Sequence, residues 1–547
     1  MSATANAVRP ASRLLVILLL ALFVAQCVWF VGTQSFTNDE PEHIVAGLEA
    51  WRYGEFQQWS GHPPLGRMLF ALPLLHTDWQ YRMSDNQVRL VSPGPEVWLY
   101  RSRPVGVALG VILLLLLWTT ARKLYSETTA NFVLLFAVLS PDLIAHFSTA
   151  NTDGIGCLFI FASVLQWLRC WRNPTWRQLA LFGLLSGLLM LSKYNSPPLL
   201  LVQLVLLLVL APGELRLHTS RLQWKRTGAI LLLICFVVWA GFLFHVSKVT
   251  FADQMVTLHF QGYTKLLQYE MPTLKTPISI YIPACEWFTG FGWRIHEDMS
   301  GHRSFFLGSY ASNGLAWYFP VAMALKWPVI ILLMGVTGVY AVLRRKVAGG
   351  RELLLMSLIP AIYLLFAMKA PVNIGVRHVL PLYPFLLLYA GAAIEWVRNG
   401  RWSRSMTTVL LSVLLLAQAA DIARYAPDYL SYFTVLVKPA NTWHLLSDSN
   451  TDWGQGLVAL RKYQNQHPGE EIHLAYVGEV DPSFYGIRYT ALHEADHPMG
   501  TVIVSATHLS GQLLKNHEAY RWLLRYPLKT VLNHTLYVFD TSAQPAP

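Results

Sequence analysis

Three carboxylates and a histidine stand within five residues in Thr37-Asn38-Asp39-Glu40-Pro41-Glu42-His43. A carboxylate in such a cluster can take the proton of an attacking hydroxyl, or share a metal ion with a second carboxylate. The same residues also read as a helix start, with Asn38 or Asp39 as the cap and Pro41 at the first helical position. The two readings are compatible, because a carboxylate held at a helix start is a positioned one. His62-Pro63-Pro64-Leu65 follows, with a stiff backbone able to steer its loop. A further carboxylate, Asp153, lies in Ser148-Thr149-Ala150-Asn151-Thr152-Asp153-Gly154. The cations are Lys193-Tyr194 and Arg377-His378, the latter in Asn373-Ile374-Gly375-Val376-Arg377-His378-Val379-Leu380-Pro381-Leu382-Tyr383-Pro384, with Lys326 as a weaker candidate. Arginine pairs bidentately with phosphate and lysine binds it as a point charge; anchoring to lipid headgroups is the plainer reading of both. Carboxylates and cations together suit transfer from an anionic donor: the cations hold the leaving phosphate while a carboxylate deprotonates the acceptor.

The elements that must hold these groups are apolar. Of 547 residues, 54% are hydrophobic and only 13% charged, about half the charged share of a soluble protein. The net charge of +11 does not signal nucleic-acid binding, because the basic residues fall in short clusters between apolar runs, as in a membrane topology. Runs near the ~20 residues needed to cross a bilayer occupy 13–32, 104–121, 128–147, 152–169, 178–193, 197–211, 228–246, 318–343, 353–369, 378–397 and 405–424. This predicts a polytopic α-helical membrane protein of about 11 spans. With the N-terminus inside, the connections expected in the cytoplasm hold Arg122 and Lys123; Arg169, Arg172 and Arg177; Arg216, Arg221, Lys225 and Arg226; Arg344, Arg345, Lys346 and Arg351; and Arg398, Arg401 and Arg404. The short outer connections hold only Lys193, Lys369 and Arg377. The first span lacks a small-residue cleavage site and reads as an uncleaved helix. Cys27, Cys157, Cys170 and Cys235 lie in or beside apolar runs, which argues against an external disulfide framework; no Cys/His spacing resembles a zinc site.

This reading divides the chain into a membrane domain, 1–430, with outer loops at about 33–103 and 247–317, and an extracytoplasmic domain, 431–547. The tail reads as a small α/β fold, with a helix over Leu457 to Tyr463 and strands over Glu471 to Val477, Thr501 to Ala506 and Val531 to Phe539. Asp39, Asp153, Lys193 and Arg377 all fall on the outer face.

The pattern resembles the GT-C superfamily of polytopic glycosyltransferases. More narrowly, it resembles the bacterial family-39 group, related to protein O-mannosyltransferases and to the aminoarabinose transferases of lipid A. The resemblance rests on Asp39-Glu40 after the first span, Asp153 at the start of the fourth, and Arg377-His378-Val379-Leu380-Pro381. Two further stretches carry it: Gly301-His302-Arg303-Ser304-Phe305-Phe306-Leu307-Gly308, continuing to Trp317-Tyr318-Phe319-Pro320, and Asp448-Ser449-Asn450-Thr451-Asp452-Trp453-Gly454-Gln455. The resemblance implies inverting transfer of a sugar from a polyprenyl-phosphate carrier to a hydroxyl of a protein, lipid or glycan, at a bacterial inner membrane. It implies Asp39 as general base, Glu40 as its positioning partner and Asp153 in acceptor or metal binding. Lys193, Tyr194, Arg377 and His378 would face the donor phosphate. Glu42, His43, His62, His302, Asp452, Trp453 and Gln455 would contact acceptor or sugar. Metal use varies across the superfamily, which leaves a divalent cation on Asp39 and Asp153 open.

Two other classes compete. A transporter or flippase of lipid-linked sugars would show broken helices and charges at the membrane midplane, whereas the acidic residues avoid the middles of the runs. A non-catalytic assembly or sensor protein would leave the carboxylates without a task.

Overall fold

The computed structural model describes residues 9–57, 61–84, 87–209, 221–252, 255–260, 263–268, 276–400 and 402–545. Arg216, Arg401 and the end of the run at 197–211 lie outside them. The chain forms two compact units: Met1–Pro41, Asp78–Thr149 and Gly301–Pro547 make the first, and Glu42–Thr77 with Ala150–Ser300 the second.

Each of the eleven apolar runs is helical over most of its described residues, although 228–246 leaves its helix after Gly241. Among the described residues, six helices are long and apolar enough to cross a membrane, or eight if two bent pairs each count as one span. The protein is therefore a mostly helical polytopic membrane protein. Trp176–Met190 and Ser196–Val209 are short for a span, at 15 and 14 residues.

In the first unit the bent pairs are Glu127–Val138 with Pro141–Phe147, at 65°, and Tyr318–Lys326 with Val329–Leu343, at 118°. Each break falls at a proline, Pro141 or Pro328, where a backbone donor is lost and the ring blocks continuation. Val329–Leu343 packs on Tyr383–Arg398 through Gly335 and Gly338. A Cβ at Gly338 would lie 1.8 Å from the Tyr389 carbonyl oxygen, so only glycine allows so close an approach.

The tail clusters with this unit's helices and carries a mixed five-stranded sheet. Its order is Thr490–Ala491, Ile472–Ala475, Thr501–Ser505, Leu536–Asp540, Leu528–Leu532. The first three strands are parallel and the last two antiparallel. The expected helix extends over Leu457–Gln466. The single strand expected over Val531 to Phe539 is instead a hairpin. Asn533 and His534 take φ of 52° and 56°, the left-handed pair a tight hairpin turn requires.

In the second unit, helices Glu40–Tyr53, Pro64–Ala71, Thr152–Arg172, Trp176–Met190, Ser196–Val209 and Arg221–Gly241 accompany an antiparallel sheet and helix Cys285–Ser300. The sheet runs Tyr263–Gln268, Met255–Phe260, Val246–Ala252, Ile278–Pro283. It fills much of the expected second outer loop.

Candidate functional site

Asp39 and Glu40 are adjacent in sequence and opposite in role. Glu40 opens helix Glu40–Tyr53. Its carboxylate accepts from the Thr37 N–H at 2.8 Å and from the Thr37 hydroxyl at 3.1 Å, half of a capping box. It also takes both arms of Arg103, Nε at 2.9 Å and Nη2 at 2.7 Å. Both side chains are wholly buried. Arg103 donates further to the carbonyls of Gln34 and Ser35, at 2.8 and 2.6 Å. Glu40 thus fixes the segment that carries Asp39 and has no exposed surface for an acceptor. The sequence reading passed over Arg103. Its signal is a cation one residue ahead of an apolar run.

The Asp39 side chain does not cap the helix. Its Oδ2 accepts from Arg377 Nη1 at 2.9 Å, and the carboxylate is 25% exposed, open enough for a hydroxyl to reach. Arg377 lies in the 3₁₀ turn Val376–Leu382, with its guanidinium carbon 4.0 Å from the centroid of the Trp453 ring. That face of Trp453 carries Arg377, so it is not open to a sugar. Asp448 adds a third charge here. Burial pushes its carboxyl above the ordinary range, and Arg377, the Ser449 N–H and His302 oppose the shift. His302 Nδ1 lies 2.9 Å from the Arg303 carbonyl oxygen. The His378 ring faces Phe319, and its carbonyl accepts from the Tyr363 hydroxyl at 2.5 Å.

Asp452 and Gln455 are structural in this arrangement. Asp452 accepts from the N–H groups of Gly454 and Thr507, at 3.2 and 3.3 Å. Burial pushes its carboxyl up to about 6, against the hydrogen bonds it accepts. Gln455 accepts from the Trp453 N–H at 2.7 Å and donates to the Thr451 carbonyl at 3.1 Å. Lys326 donates to the carbonyls of Leu430, at 2.8 Å, and Asn450, at 2.5 Å, a structural tie rather than a phosphate ligand.

The second unit holds a different set. Asp153 sits in the first turn of Thr152–Arg172, where Asn151 caps the helix by accepting from the Asp153 N–H at 2.9 Å. Its carboxylate pairs with the Lys193 ammonium, and their side chains are 3% and 11% exposed. Glu42 pairs with Arg67 at 2.7 Å, and Arg67 Nε donates to His43 Nδ1 at 3.4 Å. His43 meets the His62 ring edge-on at 4.9 Å, and His62 Nδ1 lies 3.2 Å from the Thr152 hydroxyl. Burial, then the charges of His43 and Arg67, hold the His62 imidazole well below its ordinary pKa, so it is neutral near pH 7. His62 and Arg67 line a small concavity with Phe56, Tyr194 and Phe242. Tyr194 packs there against Trp287 and Phe291.

Asp39 and Asp153, left open as metal ligands, each face a basic side chain. Among the described residues, no group of three or more His, Cys, Asp or Glu side chains is placed to hold a metal.

Residues 102–241 match the model of the family described as dolichyl-phosphate-mannose-protein mannosyltransferase. None of the curated proteins matches the chain. Among solved structures, the protein O-mannosyltransferase Pmt1–Pmt2 complex of S. cerevisiae bound to the sugar donor aligns at 13% identity and a TM-score of 0.48, covering 77% of this chain and 90% of that one. ArnT from Cupriavidus metallidurans in the apo state aligns at 13% identity and a TM-score of 0.48, covering 98% of this chain and 100% of that one. The same enzyme bound to undecaprenyl phosphate aligns at 12% and 0.45, covering 97% and 99%. Over residues 102–241 the chain is thus similar in sequence to that family, a stretch that includes Asp153 and Lys193.

Proposed function

We propose that this protein transfers a sugar from a polyprenyl-phosphate carrier to an acceptor hydroxyl, with inversion, on the outer face of a bacterial cell membrane, its N-terminus in the cytoplasm. The observation that carries this reading is the partly exposed Asp39 carboxylate held at 2.9 Å by Arg377. Asp39 takes the hydroxyl proton as the acceptor oxygen attacks the anomeric carbon from the face opposite the phosphate. The bond from that carbon to the phosphate oxygen breaks, and the carrier phosphate leaves with the electron pair. Arg377, which donates to Asp39 at 2.9 Å, is also the guanidinium that serves the leaving phosphate. In the second unit Lys193, paired with Asp153, is kept as a candidate phosphate cation.

A panel of polyprenyl-phosphate sugars incubated with the purified protein, followed by mass spectrometry, tests this. Donor loss with the wild type but not with Asp39→Asn is expected, while Asp39→Asn still binds the donor. Turnover retained by Asp39→Asn removes Asp39 as base.

One observation favours the transporter reading. The helix pairs broken at Pro141 and Pro328 bury Asp142 and Lys326, close enough to interact electrostatically, so an acidic residue does enter a span. Uptake of a lipid-linked sugar into vesicles without donor consumption would establish that reading instead.

A further inference from the structure

Arg377 is held by the tail. The loop leading to it satisfies its backbone groups with tail side chains. The Val376 N–H donates to Asn450 Oδ1 at 2.9 Å, and the Ile374 carbonyl accepts from the Ser449 hydroxyl at 2.9 Å. Between them, a Cβ at Gly375 would come within 2.2 Å of Ser449 Oγ. Glycine is needed here for close approach, not for a special backbone angle.

The tail stretch is itself rigid. Asn450 is fully buried and donates to the Tyr318 hydroxyl at 2.8 Å and the Ser447 carbonyl at 3.1 Å. Gln455 holds the Trp453 backbone, and the Trp453 ring then lies 4.0 Å from the Arg377 guanidinium carbon. A long arginine loses much rotamer freedom when it binds a phosphate. A rigid indole beneath it removes that freedom in advance, and cation–π attraction favours the held position.

We propose that Ser449, Asn450 and Trp453 are positioning residues that preorganise Arg377 for the carrier phosphate, so the tail completes the phosphate site rather than selecting the acceptor. The proposal rests on the reading of Arg377 as a phosphate ligand.

Full-length variants in detergent would be titrated with undecaprenyl phosphate, with thermal unfolding and size-exclusion profiles followed in parallel. Arg377→Ala should weaken binding by about tenfold or more, the scale of a lost charge-assisted contact. Trp453→Leu should weaken it by about fivefold and Trp453→Phe, which keeps a ring face, by less than about twofold. Gly375→Ala should also weaken binding, because its Cβ would push Ser449 away, and Ser449→Ala, which removes the tie to the Ile374 carbonyl, should weaken it by a smaller factor. Unchanged binding in Arg377→Ala overturns the phosphate reading itself. Weakened binding in Arg377→Ala, with wild-type binding in both Trp453→Leu and Gly375→Ala, overturns the tail's role and leaves the phosphate reading standing. If Trp453→Leu fails to fold, Gly375→Ala and Ser449→Ala decide: wild-type binding in both sinks the proposal.

Discussion

Each unit contains one carboxylate–cation pair that the sequence reading marked for chemistry, and the two are built differently. Asp39 and Arg377 are 338 residues apart in sequence, the carboxylate is a quarter exposed, and the cation rests on an indole supplied by the tail. Asp153 and Lys193 are 40 residues apart, and the carboxylate is almost wholly buried at a helix start that already favours negative charge. A carboxylate that must meet an acceptor needs solvent on one side. A carboxylate that balances a neighbouring cation needs none. The difference separates a reacting pair from a supporting one. Glu40 with Arg103, wholly buried, is a second supporting pair that began as a catalytic candidate.

The largest expected effect separates Asp39 from Asp153 directly. Asp39→Asn should lower kcat by about 10²–10⁴, the usual worth of a general base, with a smaller stability loss than at Asp153 because Asp448 still faces Arg377. Asp153→Asn leaves Lys193 buried without its counter-charge and should cost about 3–5 kcal/mol of stability, with kcat of the folded fraction falling far less than in Asp39→Asn. Equal stability losses in the two variants would erase the distinction. Glu40→Gln should behave like Asp153→Asn, because Arg103 then loses a buried bidentate partner. Its yield of folded protein should fall by an amount comparable to that of Arg103→Met. Full stability in Glu40→Gln would show that the buried pair contributes nothing.

Some of this was legible before any coordinates. Asp39 and Arg377 stood out because their types are scarce in a chain so apolar, and scarcity survives without knowing the fold. Their pairing did not stand out, since no local spacing encodes a contact between residues 338 apart. Trp453 was marked as a sugar contact because an exposed tryptophan and a tryptophan beneath an arginine look alike in sequence. The sheet that opens with Val246–Ala252 was lost for a related reason. The helix ends at Gly241 and Leu243 and Phe244 take left-handed φ of 52° and 61°, but their apolar side chains prolong the hydrophobic run. Apolar runs of this length do not distinguish helix from strand. The bends at Pro141 and Pro328 were the readable part of the broken spans; the buried charge on Asp142 was there to be read and was passed over.

A smaller effect sharpens the comparison from the other side. Replacing both members of a buried ion pair by apolar residues of similar size is often neutral or stabilising, by about 1–4 kcal/mol. Asp153→Leu/Lys193→Met should therefore recover the stability that Asp153→Asn loses. A stable double variant that still turns over would remove Lys193 from the phosphate site and leave the pair purely structural. A stable double variant without turnover would keep Lys193 as a phosphate ligand.

The smallest expected effect concerns the support of the Asp39–Arg377 pair. Asp452, next to Trp453, is pushed by burial from 3.8 up to about 6. The folded state thus holds that proton more tightly than the unfolded chain, and the stability it contributes is present at low pH and lost as pH rises through about 6. At pH 7 the loss is about 3 kcal/mol at most. His508 lies nearby in sequence to the Thr507 that bonds Asp452, and burial lowers it from 6.5 to about 4. Its contribution has the opposite sign, present above 6.5 and lost as pH falls through about 4. Between about 4 and 6 the two slopes oppose each other, so the unfolding temperature of the wild type should vary less across that window than either single variant. Asp452→Asn should expose the histidine's slope, with stability rising with pH; His508→Gln should expose the aspartate's, with stability falling. The same slope in both variants would mean that neither group titrates as its burial implies, and that the platform under Arg377 is indifferent to pH.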